Sequence, residues 1–244
     1  MKKAWRYLRL GAGLLAFCLI FSATVFFMRG AFALAQPAAA EPAAGVVFVL
    51  DAGHGGEDCG ALGADGTQEK QLNLAITQML GELLTAAGQR VVYTRTEDKL
   101  LYTEEQNIRG QRKMYDLRNR LEIAEGQSGA VLVSIHMNKF TDPQYSGLQV
   151  YYGKAAAGSR LLAEKIQATV RADLQPTNRR TTKAAGEEIY LLHRASMPAV
   201  LIECGFLSNP AECQKLSDKN EQKRLSFSIF CAMMEYISED GGQT

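Results

Sequence analysis

A chain of 244 residues, 47% apolar and 22% charged, has room for one domain of about 200 residues and enough apolar material for a buried core. Its formal net charge is +1, but residues 1–35 hold five of the 27 Lys and Arg and none of the 26 Asp and Glu, so the remainder carries 22 against 26. That mildly acidic balance excludes nucleic acid as the expected partner, because such binding draws on Lys and Arg to neutralise phosphates.

Lys2, Lys3, Arg6 and Arg9 precede an uncharged run from Leu10 to Met28, the pattern of an export signal. A helix over that run spans about 28 Å, close to the roughly 30 Å of bilayer hydrocarbon, so an uncleaved membrane anchor is open. Ala33 and Ala35 form an A-x-A pattern that a signal peptidase could cut. The sequence does not separate the two outcomes, and in both the domain is exported. Phe17 before Cys18 is too bulky for a lipoprotein signal.

Residues 36–45, QPAAAEPAAG, read as a spacer whose prolines discourage regular structure. The catalytic domain is expected over 46–240. Short apolar runs then alternate with amphipathic stretches: strands at 46–51, 90–95 and 130–136, helices at 69–87 and 115–125. This is the alternation of an α/β sheet. Further strands are expected at 147–152, 188–192 and 199–204, a helix at 159–171, and a last helix carrying Leu225, Ile229, Met233 and Ile237 on one face. The charge-rich segment 96–120, with Arg109, Arg112, Lys113, Arg118 and Arg120, reads as a solvated loop and helix face. The alternative is a rim for an anionic polymer. Cys59, Cys204, Cys213 and Cys231 have no C-x-x-C spacing, so buried thiols are expected rather than disulfides or a thiolate metal site.

Three strand-like runs end in a polar residue: VFVLD at Asp51 with His54 three residues beyond, VLVSIH at His136, and AVLIE at Glu203. Strand carboxyl ends open the crevice where α/β sheets bind ligands. In DAGHGG the glycines allow a sharp turn around His54, although a lone histidine in a turn is usually a surface polar group. Glu69 shares a helical face with Leu72 and Ile76, where a carboxylate is costly unless a cation or hydrogen-bond donors compensate it. A capping or ion-paired glutamate remains the alternative. Two imidazoles and a carboxylate form the ligand set of a catalytic zinc site, which makes His54, Glu69 and His136 candidate Zn2+ ligands. Glu203 suits the base that takes a proton from water and returns it to a leaving amine. Asn138, on the same face as His136, and Arg95 are candidates for substrate contact. His193, the third histidine, is expected not to be a ligand.

Five motifs in order resemble the zinc N-acetylmuramoyl-L-alanine amidases of the amidase-3 type: DAGHGG at 51–56, EKQLNL at 69–74, TR at 94–95, SIHMN at 134–138 and MPAVLIECGFLSNP at 197–210. The resemblance implies a mixed α/β sheet of about six strands flanked by helices, of phosphorylase/hydrolase type. It implies zinc on His54, Glu69 and His136, catalysis by Glu203, and peptidoglycan as substrate, cut between the lactyl group of N-acetylmuramic acid and L-alanine.

The insert at 108–120, and NRR at 178–180 followed by YLLHRASMPAVLIECGFLSN, resemble the germination-specific members in spore formers. That implies stem-peptide stripping during muramic-δ-lactam formation in the spore cortex, outside the cytoplasmic membrane and within the intermembrane space of the developing spore. Some members insert an autoinhibitory helix after the strand matching 147–152, but here only Gly153 to Gly158 intervenes. Restraint of activity then falls to metal loading, timing of expression or an accessory protein. From the residues, a zinc peptidase cutting within the stem and an inactive wall-binding module are the competing readings.

Overall fold

The computed structural model describes residues 45–240. The signal or anchor expected at 1–35, and all of the spacer but Gly45, lie outside them. Among the described residues no helix is long and apolar enough to cross a membrane.

Six strands form one sheet in the order β2-β1-β3-β6-β4-β5: β1 Val47–Ala52, β2 Arg90–Tyr93, β3 Ala130–Asn138, β4 Gln149–Tyr152, β5 Lys183–Ala184 and β6 Ala199–Phe206. Only the β4–β6 pairing is antiparallel, so the sheet is mixed as expected. The helices are α1 Glu69–Ala86, α2 Arg112–Glu125, α3 Gly158–Leu174, α4 Tyr190–Arg194, α5 Pro210–Ser217 and α6 Lys219–Asp240.

The unbroken apolar runs of β1, β3 and β6 follow from burial on both faces. On one face Phe48, Leu50, Val133, Ile135 and Ile202 pack with Ile76 of α1, Ile166 of α3 and Ile229 of α6. The alternate residues Val49, Leu132 and Leu201 pack on the other, with Ala124 of α2 and Leu191 and Leu192 of α4. Because strand side chains alternate, Asp51, Ser134, His136 and Glu203 all project toward this second, α2/α4 face. The chain leaves β1 through α1 to β2 on one flank and later reaches β3 on the other. Strand order therefore reverses at β1, which opens a crevice beyond its carboxyl end.

Three expectations are corrected. Residues 188–192 form no strand; Leu191 and Leu192, adjacent in sequence, are both buried, which an alternating strand on this surface does not allow but a helical turn does, and they belong to α4. Helix α5 was not foreseen, though its signal is plain: Asn209 accepts from the N–H groups of Ala211 and Glu212, and Pro210 occupies the first turn. The segment 96–120 is solvated only in part, since Asp116 and Arg120 are 3% and 1% exposed. The four cysteines among the described residues are free, Cys204 and Cys213 buried and Cys59 and Cys231 half-buried.

Candidate metal and catalytic site

Beyond β1 the backbone continues the sheet for one more bond, Gly53 N–H donating to the Ile135 carbonyl at 3.1 Å. It then turns at His54, whose φ of +62° is the one left-handed non-glycine among the described residues. A side chain is strained there unless its surroundings over-determine it, and here they do. Arg120 donates from Nη1 to the Ala52 carbonyl and from Nη2 to that of His54, both at 2.7 Å. Arg95 grips the Ala52 and Gly53 carbonyls at 2.8 and 3.0 Å, and Asn73 Nδ2 adds a bond to Gly53. The same Arg120 pairs with Asp51 at 2.7 Å and Asp116 at 2.8 Å. Burial alone would raise the Asp51 carboxyl, but the guanidinium and the Ser134 and Thr94 hydroxyls outweigh it and hold Asp51 at about 2.

The turn brings His54 Nε2 to 3.2 Å from Glu69 Oε1, and β3 brings His136 Nδ1 to 3.0 Å from the same oxygen. The three ligand atoms lie within 4.8 Å of one another. Ligands of a tetrahedral ion with bonds of about 2.0 Å sit roughly 3.3 Å apart, so the spacing suits one cation held by His54, Glu69 and His136. Close glycines frame the cluster: a Cβ on Gly53 would lie 2.2 Å from the His136 ring, and one on Gly60 2.5 Å from Glu69 Oε2.

Glu69 is 3% exposed and receives N–H bonds from Ala61 at 2.7 Å, Met137 at 3.0 Å and the Asn73 side chain at 3.2 Å. Burial opposes its ionisation, but the two imidazoles outweigh burial and hold it far below the usual carboxylate range. Burial likewise disfavours charged His54, yet Asp58 and Glu69 raise the imidazole to about 9. The cluster thus attracts positive charge. Asp58, which the sequence reading did not single out, accepts at 2.9 Å from the other ring nitrogen of His54 and is tied to Lys113 of α2 at 3.2 Å. A carboxylate behind a ligating histidine fixes its ring orientation.

Glu203 stands directly opposite His136 in the β3–β6 register. The residue is half-buried, but its Oε2 is shut off from solvent with no hydrogen-bond partner among the described residues. Desolvation pushes this carboxyl up to about 7; the attraction of His136 opposes the shift and the repulsion of Glu69 adds to it. Buried polar oxygens are normally bonded, and an unbonded one beside a metal-ligand cluster suits a group that exchanges protons. A cleft of about 280 Å3 between α2 and α4 opens onto it, lined by Lys113, Leu117, Glu188 and Tyr190 together with both histidines.

One expected residue lies differently. Arg95 is 2% exposed and spends its donors on the Ala52, Gly53, Lys70 and Glu97 carbonyls. It shapes the loop and does not reach the cleft as a substrate contact, because its guanidinium is enclosed by main chain. His193 is exposed on α4, outside the cluster. Asn138 is half-buried just beyond the irregularity in β3, opposite Phe206.

A model of the amidase-3 family, N-acetylmuramoyl-L-alanine amidase, matches residues 48–235. The germination-specific N-acetylmuramoyl-L-alanine amidase of Bacillus subtilis is 35% identical over 201 residues, 82% of this chain and 83% of the relative. Among solved structures, the CwlD amidase from Clostridioides difficile in complex with the GerS lipoprotein is 42% identical, with a TM-score of 0.76 over 79% of this chain and 98% of that one. The catalytic domain of CwlV from Bacillus (Paenibacillus) polymyxa var. colistinus is 30% identical, with a TM-score of 0.65 over 79% and 98%. The chain therefore belongs to the amidase-3 family and is an N-acetylmuramoyl-L-alanine amidase of the cell wall.

Proposed function

We propose that this amidase is zinc-dependent, with His54, Glu69 and His136 as ligands and Glu203 as the catalytic acid and base. The observation that carries the reading is the unpartnered Glu203 Oε2 beside the three-ligand cluster. A bound zinc ion supplies positive charge that polarises the carbonyl between the lactyl group and L-alanine. Glu203 takes the proton of the attacking water, and the raised affinity of its carboxyl for protons suits it to hold that proton. It then delivers the proton to the alanine nitrogen, so the stem peptide leaves as an amine. Asp58 keeps the His54 ring turned toward Glu69, and Arg120 keeps the His54 backbone in its strained turn. Asn138 is the remaining candidate for substrate contact.

Digestion of purified peptidoglycan, read by mass with and without zinc, tests this. Full-length stems with a free N-terminal L-alanine, released only with zinc, are expected; shortened stems would mark a peptidase. The similarity to a germination-specific amidase supports a role in stripping stems for muramic-δ-lactam in the spore cortex. A deletion strain with normal cortex lactam would refute that role. The neighbour solved with a lipoprotein supports an accessory protein as partner. We assign residues 1–35 to export or anchoring, 36–45 to a spacer and 46–240 to the catalytic domain, acting outside the cytoplasmic membrane.

A further inference from the structure

A second, larger groove of about 690 Å3 lies where β4 begins and α5 starts, lined in part by Tyr145, Asn178, Arg180, Asn209, Glu212 and Lys215. One side chain held firmly in it is Arg180, from the NRR motif that the metal cluster leaves unused. Nε donates to the Ser146 carbonyl at 2.9 Å and Nη1 to Gln149 Oε1 at 3.1 Å. The guanidinium carbon lies 4.4 Å from the centre of the Phe206 ring and 5.7 Å from that of Tyr145. Among the described residues no carboxylate pairs with Arg180, and none accepts a hydrogen bond from its Nη2. The acid in the lining, Glu212, is spent on the backbone N–H groups of Gly147 and Phe206, each at 2.7 Å. The groove is therefore cationic, and its cation is held in place in advance.

Two of the supports of Arg180, Gln149 and Phe206, adjoin the candidate catalytic centre. Gln149 is directly opposite Glu203 across the β4–β6 pairing, which puts the two side chains next to each other on one face. Phe206 is opposite Asn138. The scissile amide divides the substrate into a sugar half bearing hydroxyl and acetamido groups and a peptide half bearing free carboxylates. We propose that the groove receives the peptide half and that Arg180 is a specificity-determining residue that binds a stem-peptide carboxylate through Nη2, an inference that rests on the amidase reading above. A guanidinium matches carboxylate geometry, and one already fixed by stacking loses little freedom when it binds. The substrate then lies with its peptide toward the start of β4 and its sugar toward the α2/α4 cleft.

The test uses the zinc-loaded enzyme and N-acetylmuramoyl peptides whose second residue bears either a free carboxylate or the corresponding carboxamide. The wild type is expected to favour the carboxylate about 10-fold in kcat/KM, chiefly through KM. Arg180→Gln is expected to remove that preference, with KM raised about 10-fold and zinc content unchanged. Arg180→Lys, which keeps the charge but loses the stack, is expected to keep part of it. Equal turnover of the two substrates by the wild type, or a preference surviving in Arg180→Gln, overturns the proposal. Where Arg180→Gln does not fold, the wild-type comparison decides alone. If no muramoyl peptide is cleaved, the amidase reading fails, and NMR titration with the free acidic and amidated peptides still decides: tighter binding of the acid supports the groove, equal binding overturns it.

Discussion

Replacing Arg120 by Met keeps most of the side-chain volume and removes the charge at the centre of the α2-to-loop contact. Asp51, 0% exposed, then keeps only the Thr94 and Ser134 hydroxyls, and the Ala52 and His54 carbonyls lose their Arg120 donor. Removing one partner of a buried pair costs about 3–5 kcal/mol. In a domain of this size each kcal/mol lowers Tm by about 2–4 °C, so a fall of roughly 6–20 °C is expected by calorimetry. The pH dependence has a definite sign. A carboxyl held at about 2 instead of its ordinary 3.8 contributes about 2 kcal/mol to the wild type. That contribution is complete above the unfolded value and lost as pH falls through the folded one. In Arg120→Met the unpaired carboxyl is raised, its penalty is greatest at neutral pH, and protonation relieves it. The gap in Tm must therefore narrow from pH 7 toward pH 4, and Asp51→Asn added to Arg120→Met should recover part of the loss. A Tm change under about 2 °C, or a gap independent of pH, would refute the reasoning.

Glu203→Ala should leave zinc content intact and abolish hydrolysis, measured as metal per chain beside muropeptide release; loss of metal would contradict the assignment as base. His136→Ala should lower both together, and undiminished zinc affinity would show that the ligand was misidentified. Gly53→Ala places a methyl within 2.2 Å of the His136 ring, so chelator competition should show zinc binding weakened about 10–100-fold, as when a ligand's orienting contact is lost. An unchanged Kd would mean that the ring moves aside freely.

The strands that carry the candidate site were legible because each is an apolar run ending in one polar residue, and a buried parallel strand reads that way. Glu69 was legible as a carboxylate on an apolar stripe, although spacing could not say whether donors or a cation compensated it; the structure supplies N–H donors as well as two imidazoles. Asp58 and Arg120 were hidden for different reasons. Asp58 looks like any polar loop residue until the His54 ring is seen against it. Arg120 lies 69 positions from Asp51, inside a run of charges whose solvated members, such as Arg118, resemble it in every local respect. Residues 188–192 misled because a short apolar run fits a strand or one helical turn equally, and only the opposing face of the sheet decides.

The order of the sheet also sets when the candidate site is complete. β6 lies between β3 and β4 but follows both in the chain, so the sheet stays in two parts until a segment near the carboxyl end inserts. During synthesis His54, Glu69 and His136 emerge early, whereas Glu203 arrives only with that closing strand. Non-local parallel pairing of this kind forms late, because loop closure must precede the contacts that reward it. A chain cut short before residue 199 keeps the three candidate metal ligands and lacks Glu203, so under the proposed roles nascent or truncated forms hold the metal site without its proton carrier.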